Sequence, residues 1–316
     1  MEQYVNKSQQ IIDEIRKVVI GKDEIIRKVL TAILAKGHIL IEDIPGVGKT
    51  TLALAFSKAM DLNYHRMQFT PDVLPSDVLG FHIYEKNSLE PRFKEGSVFC
   101  NLFLADEINR TSSKTQSALL EVMEEGSATV DSITREIPKP FVVIATQNPI
   151  GSVGTQMLPE SQMDRFMVRL SMGYPDIRSE VEILKGRNTN DPLNMVDGVI
   201  DAAELVSIQH VVEQIFVHDA VYEYIAKLVL KTREHDLIAL GVSPRGTLAL
   251  TSMSKAYAFL SGRTYVIPDD VIAIFRDVTM HRMLLKPKAR VSNVTMEAVI
   301  EQILNTVSAP KLVVKR

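Results

Sequence analysis

The chain has 316 residues, 46% of them hydrophobic and 24% charged, with a formal net charge of -3. This composition excludes a disordered or fibrous polymer and leaves length for a substantial core in about two domains. With no global basic field, broad electrostatic capture of nucleic acid is disfavoured. The N-terminal "MEQYVNKSQQIIDEIRKV" lacks the apolar region of a secretory leader, and no run of about 18 apolar residues follows, so the expectation is a cytoplasmic protein without a membrane span.

In chain order, the apolar runs "HILI", "LFLA", "FVVIAT" and "FMVRLSM" alternate with helical patterns from Leu40 to about Leu170. That alternation predicts an α/β class, an αβα core around a mainly parallel sheet. After "GYPD", residues 173–176, it stops. The remainder reads as amphipathic helices over 202–214, 219–234, 244–261, 269–283 and 296–307, with Ser243 before Pro244 and Thr295 before Met296 as capped starts. The predicted boundaries are a core with an N-terminal helix over 1–176, a linker over 177–190 and an all-helical lid domain over 191–316. "GRNTNDPLNMVDG" supplies connecting sequence. Cys100 is the sole cysteine and lies in an apolar context, which predicts a small buried side chain and a reducing compartment. No histidine pair has ligand spacing, so a bound metal would use oxygen ligands.

"HILIEDIPGVGKTTLALA" places Lys49 where a helix should begin, although the positive end of a helix dipole disfavours a cation. An anion in front of it resolves the conflict. Pro45, Gly46, Val47, Gly48, Lys49, Thr50 and Thr51 then form a P-loop of the Walker A kind: the glycines turn N–H groups inward, Lys49 reaches terminal phosphates and the Thr50 hydroxyl ligates Mg²⁺. The strict pattern asks for glycine where this chain has Asp43.

In "NLFLADEINR" a buried strand ends on Asp106 and Glu107, at the sheet edge where open α/β folds bind ligands. Neighbouring strand residues point to opposite faces, so Asp106 can hold Mg²⁺ through water while Glu107 polarises an attacking water. Capping of the following helix is the other reading of these two acids. "PFVVIATQNP" ends its strand at Asn148, whose amide could orient water or touch a γ-phosphate; an Asn-Pro turn would also explain it.

The segments "IEDIPGVGKT", "FTPDVLPSDVLG", "EGSVFCNLFLADEINRTSSKTQSALLEVMEEG", "IATQNP", "LPESQMDRFMVRL" and "GVSPRGTLAL", in this order, closely resemble the MoxR family of AAA+ ATPases. The resemblance implies a P-loop NTPase core followed by a helical lid, with ATP and Mg²⁺ as ligands and Val19, Ile20 and Gly21 near the adenine. It implies an arginine finger at Arg165, with Arg169 as a second candidate, offered to ATP in a neighbouring subunit of a hexameric ring. It further implies a lid arginine, Arg245, that senses the γ-phosphate. Read from the residues alone, either arginine could instead pair with a nearby acid. The segment from Phe69 to Ser97 resembles the family's insert, and "GSATVDSITREIPKPF" a hairpin. A chaperone-like role on an unknown client, with a possible von Willebrand factor A domain partner, is the functional expectation. A nucleotide-dependent binding switch with negligible turnover and a small-molecule kinase are the competing classes.

Overall fold

The computed structural model describes residues 1–83, 91–148, 157–186 and 192–311, and the structural statements below concern these residues. Five strands, β1 (Ile39–Glu42), β2 (Tyr64–Gln68), β3 (Leu102–Asp106), β4 (Val142–Gln147) and β5 (Val168–Leu170), form one parallel sheet in the order β2-β3-β4-β1-β5. The longer helices are α1 (Glu2–Arg16), α2 (Asp23–Leu34), α3 (Lys49–Ala59), α4 (Ser113–Glu125), α5 (Ile177–Gly186), α6 (Ala202–Glu213), α7 (Asp219–Glu234), α8 (Pro244–Leu260), α9 (Pro268–Thr279) and α10 (Met296–Thr306).

β1, β3 and β4 are continuous apolar runs because both faces of the sheet are covered. Alternate side chains feed separate cores: Ile39, Ile41, Leu102, Leu104 and Ile144 join the layer of α1, α2 and α3, whereas Leu40, Phe103, Ala105 and Val143 pack against Leu119, Leu120 and Met123 of α4. The first core continues without a break into the lid through Leu205, Leu228, Leu250, Met253, Ile274 and Ile300. Core and lid therefore share one apolar interior.

The five lid helices fall within a few residues of the ranges read from the sequence, and Ser243 and Thr295 do cap α8 and α10 through Gly246 N–H and Ala298 N–H. Besides its helices, the described part of the lid has a short antiparallel pairing of Ile238–Leu240 with Leu284–Leu285 and a single parallel bridge between Phe216 and Tyr265. The segment 177–190, read as a linker, instead carries α5 up to Gly186. Its start is fixed by Asp176, whose carboxylate accepts from Ser179 N–H at 2.8 Å, a capping signal the linker reading passed over. β2 was also not read from the sequence. It is an edge strand paired only to β3, so its "YHRMQ" keeps polar side chains and lacks the apolar signature of the inner strands. Two antiparallel hairpins leave the core, Gly80–Ile83 with Arg92–Glu95 and Ser127–Val130 with Ile133–Glu136; the tip of the first lies outside the described residues. Cys100 is fully buried, and burial pushes its thiol up to about 12. No helix among the described residues is long and apolar enough to cross a membrane.

His38, just before β1, ties that strand's start to its sheet neighbour β4 and to helix α4. Its Nδ1 accepts from Val143 N–H at 3.0 Å, which leaves the proton on Nε2 to be donated to the Met123 carbonyl at 2.9 Å. Burial pushes this imidazole down from 6.5 to about 4, and buried His281 is depressed in the same direction. A histidine held neutral in the fold costs stability once the unfolded chain protonates. The fold should therefore be fully supported above pH 6.5 and lose stability as pH falls towards 4. At pH 5 the loss from His38 is about 2 kcal/mol relative to pH 7. Urea titrations at the two pH values check this, and His38→Asn should flatten the pH dependence; an unchanged slope in the variant would refute it.

Candidate functional site

The turn from β1 to α3 is shaped by two glycines. Gly46 and Gly48 adopt φ of 86° and 96°, and a Cβ on either would meet nothing closer than 3.9 Å, so conformation rather than space requires glycine. Lys49 begins α3, and its ammonium is held by the carbonyls of Asp43 at 2.6 Å and Ile44 at 3.2 Å. Burial lowers the Lys49 pKa, against the attraction of Asp43, Asp106 and Glu107. Val47 packs into the core beneath the loop.

Pro45, Gly46, Gly48, Lys49, Thr50 and Thr51 line a cavity of about 330 Å³ together with Arg66, Gln68, Asp106 and Glu107. The predicted phosphate loop and the predicted acids thus face one space. The opposite-faces argument for the acids does not hold, because β3 ends at Asp106. Glu107 has left the strand in a left-handed conformation, φ 55° and ψ 47°, and so turns into the same cavity. A non-glycine residue there carries about 1–3 kcal/mol of strain, which the surroundings must offset. They do so through Thr146 on β4, whose hydroxyl donates to Asp106 Oδ1 at 2.7 Å and accepts from Glu107 N–H at 2.9 Å.

Arg66, Gln68, Arg110 and Thr146 are site residues that the sequence reading missed. Arg66 donates to Asp106 Oδ2 at 2.8 Å, which raises its own pKa. Gln68 Nε2 and Arg110 converge on Glu107 Oε2 at 2.8 and 2.7 Å. The available signal was the period of two in "RMQ", which puts Arg66 and Gln68 on one face of an edge strand. Asn148 directly follows β4 and does not line the cavity.

Asp43 replaces the expected glycine and has its own role. Its carboxylate accepts from Ile44 N–H at 2.8 Å, Ser171 Oγ at 3.0 Å and Gly173 N–H at 2.7 Å. Burial alone would raise its pKa, but these donors outweigh burial and the net shift is downward. The loop is thereby tied to the segment after β5. Lys22 ties the same segment from the other side, donating to the carbonyls of Met172 at 2.6 Å and Tyr174 at 2.8 Å. Val19, Ile20 and Gly21 precede it and lie outside the cavity lining. Gly21 has φ 71° and sits where a Cβ would fall 2.0 Å from Ser179 Oγ, so this segment packs closely on the start of α5.

The three arginines go elsewhere. Arg165 donates to the Leu120 carbonyl at 2.7 Å and pairs with Glu124 at 3.2 Å, and Arg245 pairs with the other oxygen of Glu124. Both line a separate cavity of about 250 Å³ that also contains Asp164 and Arg282. Arg245 does not line the Lys49 cavity; the first turn of α8 carries it to Glu124 beside Arg165. Arg169, in mid-strand on β5, pairs with Glu42 at 3.2 Å in a third cavity, apart from Arg165.

A family profile described as "ATPase family associated with various cellular activities (AAA)" matches residues 38–168, and an AAA lid domain profile matches residues 230–303. The chain is 45% identical over 299 residues to YeaC of Bacillus subtilis, covering 95% of this chain and 93% of that one. It is 36% identical to Chaperone MoxR1 of Mycobacterium tuberculosis over 98% and 84% of the two chains. With Protein MoxR of Methylorubrum extorquens it shares 30% identity over 94% and 93%. A crystal structure from Cytophaga hutchinsonii, described as a candidate ATPase, superposes with a TM-score of 0.91 at 37% identity, covering 98% of this chain and 96% of that one. The chain belongs to the MoxR family of AAA+ ATPases.

Restoring the general loop pattern should harm this protein. Asp43→Gly removes a charged acceptor from three donors, and hydrogen bonds to charged groups contribute about 1.5–3 kcal/mol each when intact. The expected outcome is a urea midpoint clearly below that of the parent chain, and an unchanged midpoint would overturn the structural role given to Asp43.

Proposed function

We propose that this MoxR-family chain is a Mg²⁺-dependent ATPase that acts as a homo-oligomeric ring, a hexamer in its simplest form, and couples turnover to the remodelling or maturation of partner proteins. One observation carries the reading. Lys49, Thr50, Asp106 and Glu107 share a cavity, while Arg165 and Arg245 converge on Glu124 in a different one, so a single chain holds two incomplete halves of a hydrolytic site. Joining the arginine half of one subunit to the phosphate half of the next completes it.

In this reading Pro45 to Thr51 cradle the phosphates, and Val19, Ile20 and Gly21 flank the adenine. The Thr50 hydroxyl and the Asp106 carboxylate form an oxygen donor set suited to Mg²⁺, which takes only one or two protein ligands in such sites. The ion supplies charge neutralisation across the transferring phosphoryl group. Glu107 orients and polarises the attacking water, Asn148 supports that water or the γ-phosphate, and Arg165 and Arg245 of the neighbour neutralise the charge that develops in the transition state. For this, Arg66 must yield its hold on Asp106, and Gln68 and Arg110 must release Glu107 Oε2.

Similarity to Chaperone MoxR1 of Mycobacterium tuberculosis supports the chaperone-like role. A cytoplasmic location for the protein, a client of unknown identity and a partner with a von Willebrand factor A domain belong to the same proposal. The tethered Glu107 also favours a second reading, a nucleotide-held binding switch with little turnover. Phosphate release from the parent chain and from Glu107→Gln separates the two: equal, near-zero rates with ATP still bound would favour the switch.

Two outcomes are expected. Arg165→Ala should reduce phosphate release by about 10³-fold or more, the contribution typical of an arginine finger, while ATP affinity stays close to that of the parent. Light scattering on Glu107→Gln should show a rise in mass on adding Mg-ATP. Near-normal turnover in the first variant, or a strict monomer at high concentration in the second, would sink the shared-site reading.

A further inference from the structure

Arg165 and Arg245 come from different parts of the chain, one from the strap before β5 and one from the lid, yet a shared transition state requires them to keep a fixed spacing. Asp164 connects the two. Its Oδ1 accepts from Arg282 Nε at 2.7 Å and its Oδ2 from Ser243 Oγ at 2.8 Å. Ser243 caps α8, and Arg245 lies in the first turn of that helix. Asp164 is the residue immediately before Arg165. A single carboxylate thus holds both arginine-bearing segments.

Arg282 fixes the strap itself. It is only 4% exposed, and besides Asp164 it donates to the carbonyls of Asp164 at 3.1 Å, Phe166 at 2.6 Å and Met167 at 3.1 Å. Its stem lies against α8 so closely that a Cβ at Gly246 would fall 2.7 Å from Arg282 Cδ. Burial lowers the Arg282 pKa, and Asp164 opposes that shift by favouring the charged form. A buried charge with a full set of partners is held in one place, because losing any partner is expensive.

The geometry points to Asp164 and Arg282 as positioning residues that set the spacing of Arg165 and Arg245 for hydrolysis in the neighbouring subunit. This rests on the shared-site reading. Neither residue touches nucleotide; they act on the other subunit's chemistry through the arginines they hold. A misplacement of about 1 Å at such a distance from the reacting atoms can cost about a hundredfold in rate.

The test uses mixed rings. Asp164→Asn alone should turn over ATP at least about tenfold more slowly, with ATP affinity within about twofold of the parent, because its own phosphate loop is untouched. Mixing it with an excess of Glu107→Gln, which cannot hydrolyse but presents intact arginines, should raise the rate per Asp164→Asn chain several-fold. A merely structural defect would not be relieved by a neighbour. Arg165→Ala mixed with Glu107→Gln is the control. If the control is restored and Asp164→Asn is not, the positioning role is wrong while shared sites stand. If neither is restored, the shared-site reading fails and this inference with it. Should Asp164→Asn not fold, Ser243→Ala, which removes the hydroxyl from Asp164 but keeps the Arg282 pair, is expected to behave the same way in the mixture, and failure to do so counts against the inference.

Discussion

A lysine ammonium at the first position of a helix meets a repulsive dipole, and much of the surrounding structure exists to tolerate it. In the chain alone, Lys49 is satisfied by the carbonyls of Asp43 and Ile44, which take up its hydrogens without neutralising its charge. Burial adds to the strain by pulling its pKa down. The two glycines hold the loop in conformations closed to other residues, Asp43 clamps the loop to the segment after β5, and Glu107 is kept left-handed by Thr146. Each of these costs is offset by burial in the continuous core below, and together they leave a cavity whose cationic wall is complementary to a triphosphate.

What could be read from the sequence follows from how local each signal is. The inner strands were legible because burial on both faces demands unbroken apolar runs, and the lid helices because a cap and an apolar stripe sit within a few residues of each other. β2 was not, since an edge strand can remain polar, and with it went Arg66 and Gln68. The acids of "ADE" were legible as a pair, but their relative direction was not: it depends on the backbone turn at Glu107, which Thr146 stabilises from a different strand. The destination of Arg245 was also hidden. Its position on α8 is local, but which site α8 faces is decided by the packing of the lid against the core and by the Asp164–Arg282 pair, both long-range.

The distribution of charge favours keeping the two arginines and the phosphate-loop lysine in separate clusters within one chain. The Lys49 cavity already balances Lys49 and Arg66 against Asp106 and Glu107, so adding Arg165 and Arg245 of the same chain would leave an excess of two positive charges, favourable only while an anion is bound. Placing the arginines on Glu124 instead gives each half its own counter-charge: Glu124 for the arginines, and Asp43, Asp106 and Glu107 around Lys49. Glu124 is partly exposed, so solvent screens its pairs with the two arginines and each contributes little to stability.

β5 links the two halves physically. The strap 164–167, which carries Arg165 and is gripped by Arg282, enters this strand, and the segment holding Ser171 and Gly173, gripped by Asp43 of the phosphate loop, leaves it. Only Val168–Leu170 lies between them, a span of about 10 Å at the usual rise of a strand. Arg169 in the middle of that span pairs with Glu42, the residue just before Asp43, and β1 and β5 are locked in parallel register. The segment clamped by Asp43 and the strap gripped by Arg282 are thus joined directly through strand β5. With β1 and β5 locked in register, a shift of β5 along β1 would move both ends together; under the shared-site proposal this would tie the two cavities of a chain through main-chain pairing, the part-buried Arg169–Glu42 pair and the grip of Arg282.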